Sequence, residues 1–348
     1  MGPRTYLDHA ATTPMLPAAR AAMAEATARW ANPSSPHAEG RAARAALEGA
    51  REQIKGSLGW PHALIFTGGA SEAAALAMAR ARIERRSVSV VEHEAVRRAG
   101  GDAKTIAVDA AGIVDLAAIP QQALVAIQSV NSETGVRQPL DRLSDSIRAR
   151  GGLWLADCAQ SAGKLPLPDA DMIIVSAHKL GGPPGIGALL VRDLAMLRAD
   201  GAGQEQGYRG GTENVPAVIG FAAALEARGS RDHLGGLRRM LEDGVQAAGG
   251  EIVAGGSARI AEIGGCRLPG VAAVAQLIEL DAAGIAISAG SACSSGSMKP
   301  SPVLTAMGWN EAHAREVIRV SFAPSTVEAD VARFLEVWTK LAGRRRAA

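Results

Sequence analysis

The feature that most limits how this chain can fold is an alternation, through its first two thirds, of short apolar runs with helical stretches. Runs at 63–67, 87–91, 124–130, 153–156, 172–175 and 188–191 have the length and the Val, Ile and Leu content of strands buried on both faces. The segments between them are long enough to cross back over a sheet as helices. The expectation is an α/β protein with a largely parallel, helix-covered sheet. Ahead of the first run, Ala43, Leu47, Ala50, Ile54 and Leu58 recur at helical spacing before Gly59, which predicts an amphipathic helix over 41–58. Past residue 227 the alternation fades. The last clear element is a helix over 331–341 whose apolar face is Val331, Phe334, Leu335, Trp338 and Leu341. At 348 residues the chain exceeds the size at which one core usually stops growing, so a large unit with a smaller companion is expected.

In open α/β sheets ligands bind beyond the carboxyl ends of the strands, so the residues that follow each run matter most. The 63–67 run leads into Gly68-Gly69-Ala70-Ser71-Glu72 and then an alanine-rich helix, a cradle of amide N–H groups and a hydroxyl suited to a phosphate but without a Walker lysine. The next runs deliver His93, then Asn131-Ser132-Glu133, then Asp157 and Gln160, then Ser176, His178 and Lys179. Taken singly each has a plainer use: glycines make turns, a histidine packs or caps, an aspartate starts a helix. Together, a lysine able to form an imine, an aspartate for a pyridinium nitrogen and a phosphate cup describe a site for pyridoxal 5'-phosphate.

Composition narrows the alternatives. A formal net charge of +2 and a single basic run, Arg344 to Arg346 at the C-terminus, offer no nucleic-acid surface, and no segment has the length of a membrane span. The three cysteines, Cys158, Cys266 and Cys293, make neither a disulfide framework nor a zinc pair, and the N-terminus lacks the apolar stretch of a secretory signal. A metal-free enzyme of the cytoplasm is expected.

Across nearly the whole length the ordered blocks resemble the cysteine desulfurases of the NifS and IscS kind, within the class V aminotransferase group. The blocks are Tyr6-Leu7-Asp8-His9-Ala10-Ala11-Thr12-Thr13-Pro14, Asn32-Pro33-Ser34-Ser35, Glu92-His93, Asp157-Cys158-Ala159-Gln160 and Ser176-Ala177-His178-Lys179. They continue through Arg209-Gly210-Gly211-Thr212 and Ser288-Ala289-Gly290-Ser291-Ala292-Cys293 to Arg319-Val320-Ser321. The resemblance implies a fold-type I enzyme with a mostly parallel seven-stranded sheet in a large cofactor-binding domain (14–227). A smaller α/β domain (1–13 and 228–348) would carry the catalytic cysteine loop. It implies that Lys179 carries the cofactor, Asp157 meets the ring nitrogen, Gln160 the phenolic oxygen, and His93 stacks on the ring and moves protons. Ala70, Ser71, Ser176 and His178 would hold the phosphate, with Asn131 and Ser132 also near the cofactor. Thr212 would reach the neighbouring subunit's phosphate in a homodimer. Asn32 and Arg319 would bind L-cysteine, the arginine gripping its carboxylate bidentately as a lysine could not.

Cys293 decides the reaction type. Its Ser- and Gly-rich surroundings have the composition of a polar loop, which suits a thiol that attacks the substrate's sulfur, holds it as a persulfide and passes it to an acceptor or iron–sulfur scaffold. Cys158 and Cys266 match no nucleophile block. The chain departs from the family pattern at Ser132, where a second Asn is usual, at Ala74, and at Ala323-Pro324, where Gly-Arg is usual. These departures keep open a selenocysteine lyase, a small-amino-acid aminotransferase, or a cofactor-binding subunit that acts through a partner.

Overall fold

The computed structural model describes residues 4–29, 31–201, 203–289 and 300–347. The strands are β1 (Thr5–Tyr6), β2 (Ala63–Thr67), β3 (Arg85–Ser89), β4 (Lys104–Ile106), β5 (Ala123–Ala126), β6 (Leu153–Asp157), β7 (Met172–Ser176) and β8 (Gly187–Val191). In the second half come β9 (Glu251–Ile252), β10 (Ile263–Arg267), β11 (Ile285–Ala286), β12 (Ser288–Ala289) and β13 (Val317–Ser321).

Seven strands form the main sheet in the order β2-β8-β7-β6-β5-β3-β4. Pairings from β7 to β4 are parallel, while β8 runs antiparallel to both β7 and β2. Since β2 and β7 both oppose β8, β2 points the same way as the parallel strands. The carboxyl ends of β2, β3, β5, β6 and β7 therefore open on one edge.

Alternate residues of each strand enter two different cores, as the two-residue period of a strand requires. Phe66, Val125, Trp154, Ile173, Val175 and Leu190 pack with Leu47, Ile54, Leu143 and Phe221 from the helices Ala38–Leu58, Leu140–Ala149 and Val215–Glu226. Ile65, Leu124, Leu155, Ile174 and Leu189 face the other way, onto Ala73, Ala77 and Val96 of the helices Ala70–Arg80 and Glu94–Gly100. The Ala38–Leu58 helix starts three residues before its apolar pattern, at an N-cap where His37 accepts from the Gly40 amide. It stops at Gly59, whose φ of 67° is the left-handed conformation that glycine adopts without strain.

Three strands of the main sheet differ from expectation. β3 lies two residues earlier than 87–91, and β4 was not foreseen: it is a three-residue edge strand with Lys104 and Thr105 exposed. β5 ends at Ala126. The chain beyond it still donates from Ile127 to the Leu155 carbonyl and from Ser129 to that of Asp157 before turning at Asn131.

The rest of the chain builds a four-stranded antiparallel sheet, β12-β13-β10-β9. It packs Leu237, Leu241, Leu280, Val331, Phe334 and Trp338 of three helices around Ile318 and Val320. β1 pairs in parallel with β11, and Leu7 joins this second core. Among the described residues no helix is long and apolar enough to cross a membrane.

A buried ion pair ties the loop after β8 to the main sheet. Arg51 Nη1 and Nη2 meet Glu205 Oε2 and Oε1 at 2.8 and 2.9 Å, and the Glu205 carboxylate also accepts from the Phe66 amide. Glu205→Ala would leave the guanidinium buried without its main counter-charge. Urea unfolding is expected to show a loss of about 3 kcal/mol.

Candidate active site

The β2 end supplies an anion cradle. Thr67 Oγ1 donates to the Gly69 carbonyl at 3.0 Å, and Gly69, at φ 142°, is the N-cap of the Ala70–Arg80 helix. Having no side chain, Gly69 leaves the first-turn amides around Ala70 and Ser71 without a cap, and Ser71 is exposed there. β8 presses against this loop from behind. A Cβ on Gly187 would lie 2.8 Å from Gly69 Cα and 2.5 Å from the Val175 carbonyl, so only glycine fits. Glu72 accepts from the Gly68 amide and meets Arg209 Nε at 2.7 Å. Its burial would raise the carboxyl's pKa, but Arg209 and that amide bring it below the ordinary value.

Lys179 sits in the short turn Ala177–Lys179 after β7. Burial lowers the pKa of its ammonium, Asp157 partly restores it, and Arg319 lowers it further. The net depression enlarges the share of neutral amine, the form that condenses with a carbonyl. Asp157 closes β6 nearly buried, with Oδ1 accepting from the Ala159 amide at 2.8 Å. Three residues later Gln160 Nε2 donates to the Ala10 carbonyl at 2.9 Å, while its Oε1 is buried without a partner.

His93 caps the Glu94–Gly100 helix, its Nδ1 accepting from the Ala95 amide at 3.1 Å. That bond assigns the proton of the neutral ring to Nε2. Burial and then Lys179 lower its pKa against the opposing pull of Asp157, so the ring is neutral at neutral pH. Ser176 ends β7 buried, and His178 Nδ1 lies 3.1 Å from Thr12 Oγ1. Burial and Lys179 keep this second imidazole neutral as well.

Arg319, on β13, reaches the same edge from the second sheet. Its Nη1 donates to the Ser132 carbonyl at 3.0 Å and its Nη2 to Asp8 Oδ1 at 2.7 Å, while Nε is buried with no partner. Asn131 is committed to its own turn. Its Nδ2 donates to the Val91 carbonyl, and its Oδ1 accepts from the Glu133 and Thr134 amides and from Thr134 Oγ1. What Asn131 does here is present the Ser132 carbonyl to Arg319. Asn32 lies in an exposed loop, with Oδ1 accepting from the Ser34 amide. Thr212 is exposed, three residues beyond the Arg209 that grips Glu72. Cys293 falls within 290–299, outside the described residues. Cys158 and Cys266 are buried, and burial pushes each thiol up to about 12, so neither is a thiolate at neutral pH.

The structure thus gathers Lys179, Asp157, Gln160, His93, Ser176, His178 and the Ser71 loop at one sheet edge, with Arg319 close enough for its charge to act on Lys179. Two residues escaped sequence reasoning. Asp8 was quoted in the first block but given no task, because its partner lies 311 residues away. Glu92, beside His93, is buried with Oε1 accepting from the Gln128 amide at 2.6 Å and Oε2 unpartnered. Burial and the nearby Asp157 charge raise its pKa well above the ordinary value, against the hydrogen bond from the Gln128 amide.

A geometric consequence follows for Arg319. Its two Nη groups are aimed by a carboxylate and a carbonyl, contacts that a single ammonium cannot reproduce. Arg319→Lys is expected to raise KM for the amino-acid substrate by about tenfold or more with a smaller change in kcat, measured by initial rates.

This arrangement agrees with what the chain is similar to. It is 37% identical to a cysteine desulfurase of Gluconacetobacter diazotrophicus, over 98% of this chain and 94% of that one. It is 38% identical to an IscS-like cysteine desulfurase of Mycobacterium tuberculosis, over 99% and 97%. Among solved structures, a NifS-like protein from Rickettsia africae superposes with a TM-score of 0.85 at 28% identity, over 98% of this chain and all of that one. The family model for class-V aminotransferases matches residues 5–334, and on that full-length match the chain belongs to the class-V aminotransferase family.

Proposed function

We propose that the chain is a pyridoxal-phosphate-dependent cysteine desulfurase that converts L-cysteine to L-alanine and delivers the sulfur as a persulfide on Cys293. The observation that carries this reading is at Lys179, whose amine feels both Asp157 and Arg319. An imine-forming amine, an acid for a ring nitrogen and an anchor for a substrate carboxylate share one site.

The residues fit the cofactor. Lys179 would take its carbonyl carbon, Asp157 its ring nitrogen, and Gln160, whose amide is only half used, its phenolic oxygen. His93 would cover the ring. The uncapped first turn at Ala70 and Ser71, with Ser176 and His178, would hold the phosphate. When bound, pyridoxal phosphate supplies an electron sink for bonds at the substrate's α-carbon.

The chain's own residues do the rest. Arg319 holds the substrate carboxylate, and Asp8 and the Ser132 carbonyl hold Arg319. Lys179, as a neutral amine, takes and returns a proton, and His93 holds one at Nε2. The Cys293 thiolate attacks the substrate's sulfur: a sulfur–sulfur bond forms, the carbon–sulfur bond breaks, and its electron pair stays on carbon, which ends as alanine after protonation. A thiol acceptor or an iron–sulfur scaffold then takes the outer sulfur. Thr212, exposed in the single chain, would complete the phosphate site of a second copy in a homodimer.

Incubating the cofactor-loaded protein with L-cysteine and a thiol reductant is expected to give alanine and sulfide in equal amounts. Fast transamination of alanine with a keto acid, without sulfur release from cysteine, would defeat the proposal in favour of an aminotransferase.

A further inference from the structure

Lys179 also borders a cavity of about 440 Å³ whose lining includes neither His93 nor Asp157. It lies between the two cores. Its walls include 13–17 and 227–231, the two segments in which the chain passes from one core to the other. The volume is within the range of small-molecule sites, and the junction of two packed units is a common place for them.

The lining has one sign of charge. Lys164, Lys179, Arg228 and Arg231 all border the cavity, and no aspartate or glutamate does. Arg231 is satisfied by Glu262 at 2.6 Å, and Arg228 donates to the carbonyls of Leu225 and Ser57. Lys164 has no acid partner among the described residues. Burial, then Arg231, lower its pKa to about 7 against the pull of Glu262, with Lys179 lowering it further. At that value the amine is about half protonated at neutral pH, and a carboxylate placed beside it would favour the charged form.

A second unmet group sits in the same wall. His9 is only 5% exposed and its Nδ1 has no partner. Its pKa is lowered to about 4, mainly by burial and then by Lys164, against a hydrogen bond to the Tyr6 backbone, so the ring stays neutral. The remaining walls, including Leu16, Phe322 and Pro324, are apolar, and Pro324 stands where the resembling family's pattern has an arginine.

We propose that this cavity is a second ligand site, distinct from the substrate anchor at Arg319, that takes a small organic carboxylate with an apolar body. Lys164 meets the carboxylate, and the apolar wall covers the body. A neutral ligand would leave Lys164 unpaired, and a bare inorganic anion would leave the apolar wall wet. None of this depends on which reaction Lys179 serves.

Phenylbutyrate and its neutral analogue phenylbutanamide are suitable probes, titrated calorimetrically into the full-length, cofactor-loaded protein. Phenylbutyrate is expected to bind in the sub-millimolar range and the amide at least about tenfold more weakly. Lys164→Gln should weaken phenylbutyrate by a similar factor and Lys164→Arg should restore it, while Arg319→Lys should leave it unchanged. Equal binding of acid and amide, equal binding to wild type and Lys164→Gln, or loss of binding in Arg319→Lys would each overturn the proposal. If Lys164→Gln proves unfolded by circular dichroism, the acid-against-amide comparison on the wild type decides alone.

Discussion

Cys293→Ala is expected to cut sulfide release from L-cysteine by at least about a thousand-fold while the protein keeps its bound cofactor and its colour. The division of labour proposed between Lys179 and Cys293 requires this split. Everything that would hold the cofactor lies at the carboxyl ends of the main-sheet strands, in Lys179, Asp157, Gln160 and the loop after β2. The proposed sulfur acceptor, Cys293, follows β12 in the sequence and belongs to none of these strand-end segments. The two described cysteines cannot take its place, since each is buried with its thiol pKa pushed up to about 12. Methylene blue detection of sulfide and an absorbance spectrum, taken on the same sample, measure both halves. Sulfide output equal to the wild type would mean that another thiol carries the sulfur.

Lys179→Ala is expected to be more severe. The variant should emerge from incubation with pyridoxal phosphate and desalting without colour, with turnover reduced by about three orders of magnitude or more. No other amine can serve in its place. Lys164 borders the cavity beside Lys179, but neither Asp157 nor His93 lines that cavity. Lys179→Arg should fail as fully as the alanine variant, because guanidinium stays protonated and does not condense with a carbonyl. A coloured, active alanine variant would remove Lys179 from the role proposed for it.

Much of the large sheet was legible because its strands are buried on both faces. Such strands must be continuous apolar runs, and runs at 63–67, 153–156, 172–175 and 188–191 agree with strands to within a residue. β4 was not legible, because a three-residue edge strand with two exposed side chains carries no such signature. The second sheet was harder still. β10 reads Ile263-Gly264-Gly265-Cys266-Arg267, which looks like a turn, yet every residue is buried. Its glycines answer to packing: a Cβ on Gly264 would lie 2.6 Å from an Arg238 Nη atom, and one on Gly265 would lie 3.0 Å from the Val253 side chain.

The site showed the same division. Residues that follow strands in the large sheet could be placed at one edge from direction alone. Contacts between chain segments far apart, such as Asp8 with Arg319, leave no local trace. Asn131 shows another case: the resemblance placed it near the cofactor, and the fold also gives it a local task, with Nδ2 donating to the Val91 carbonyl and Oδ1 accepting from the Glu133 and Thr134 amides.

The pairing of β1 with β11 and of Asp8 with Arg319 has a consequence for how the protein comes into being on the ribosome. Main-sheet strands lie within 63–191 and can find one another while synthesis continues, but the substrate anchor needs residues 8 and 319 in contact. The nascent chain can therefore assemble its cofactor cradle well before it can grip an amino acid. β1 and Asp8 must wait for their partners until β11 and β13 have been made. A ribosome stalled between those two points would hold a protein able to take up pyridoxal phosphate and unable to consume cysteine.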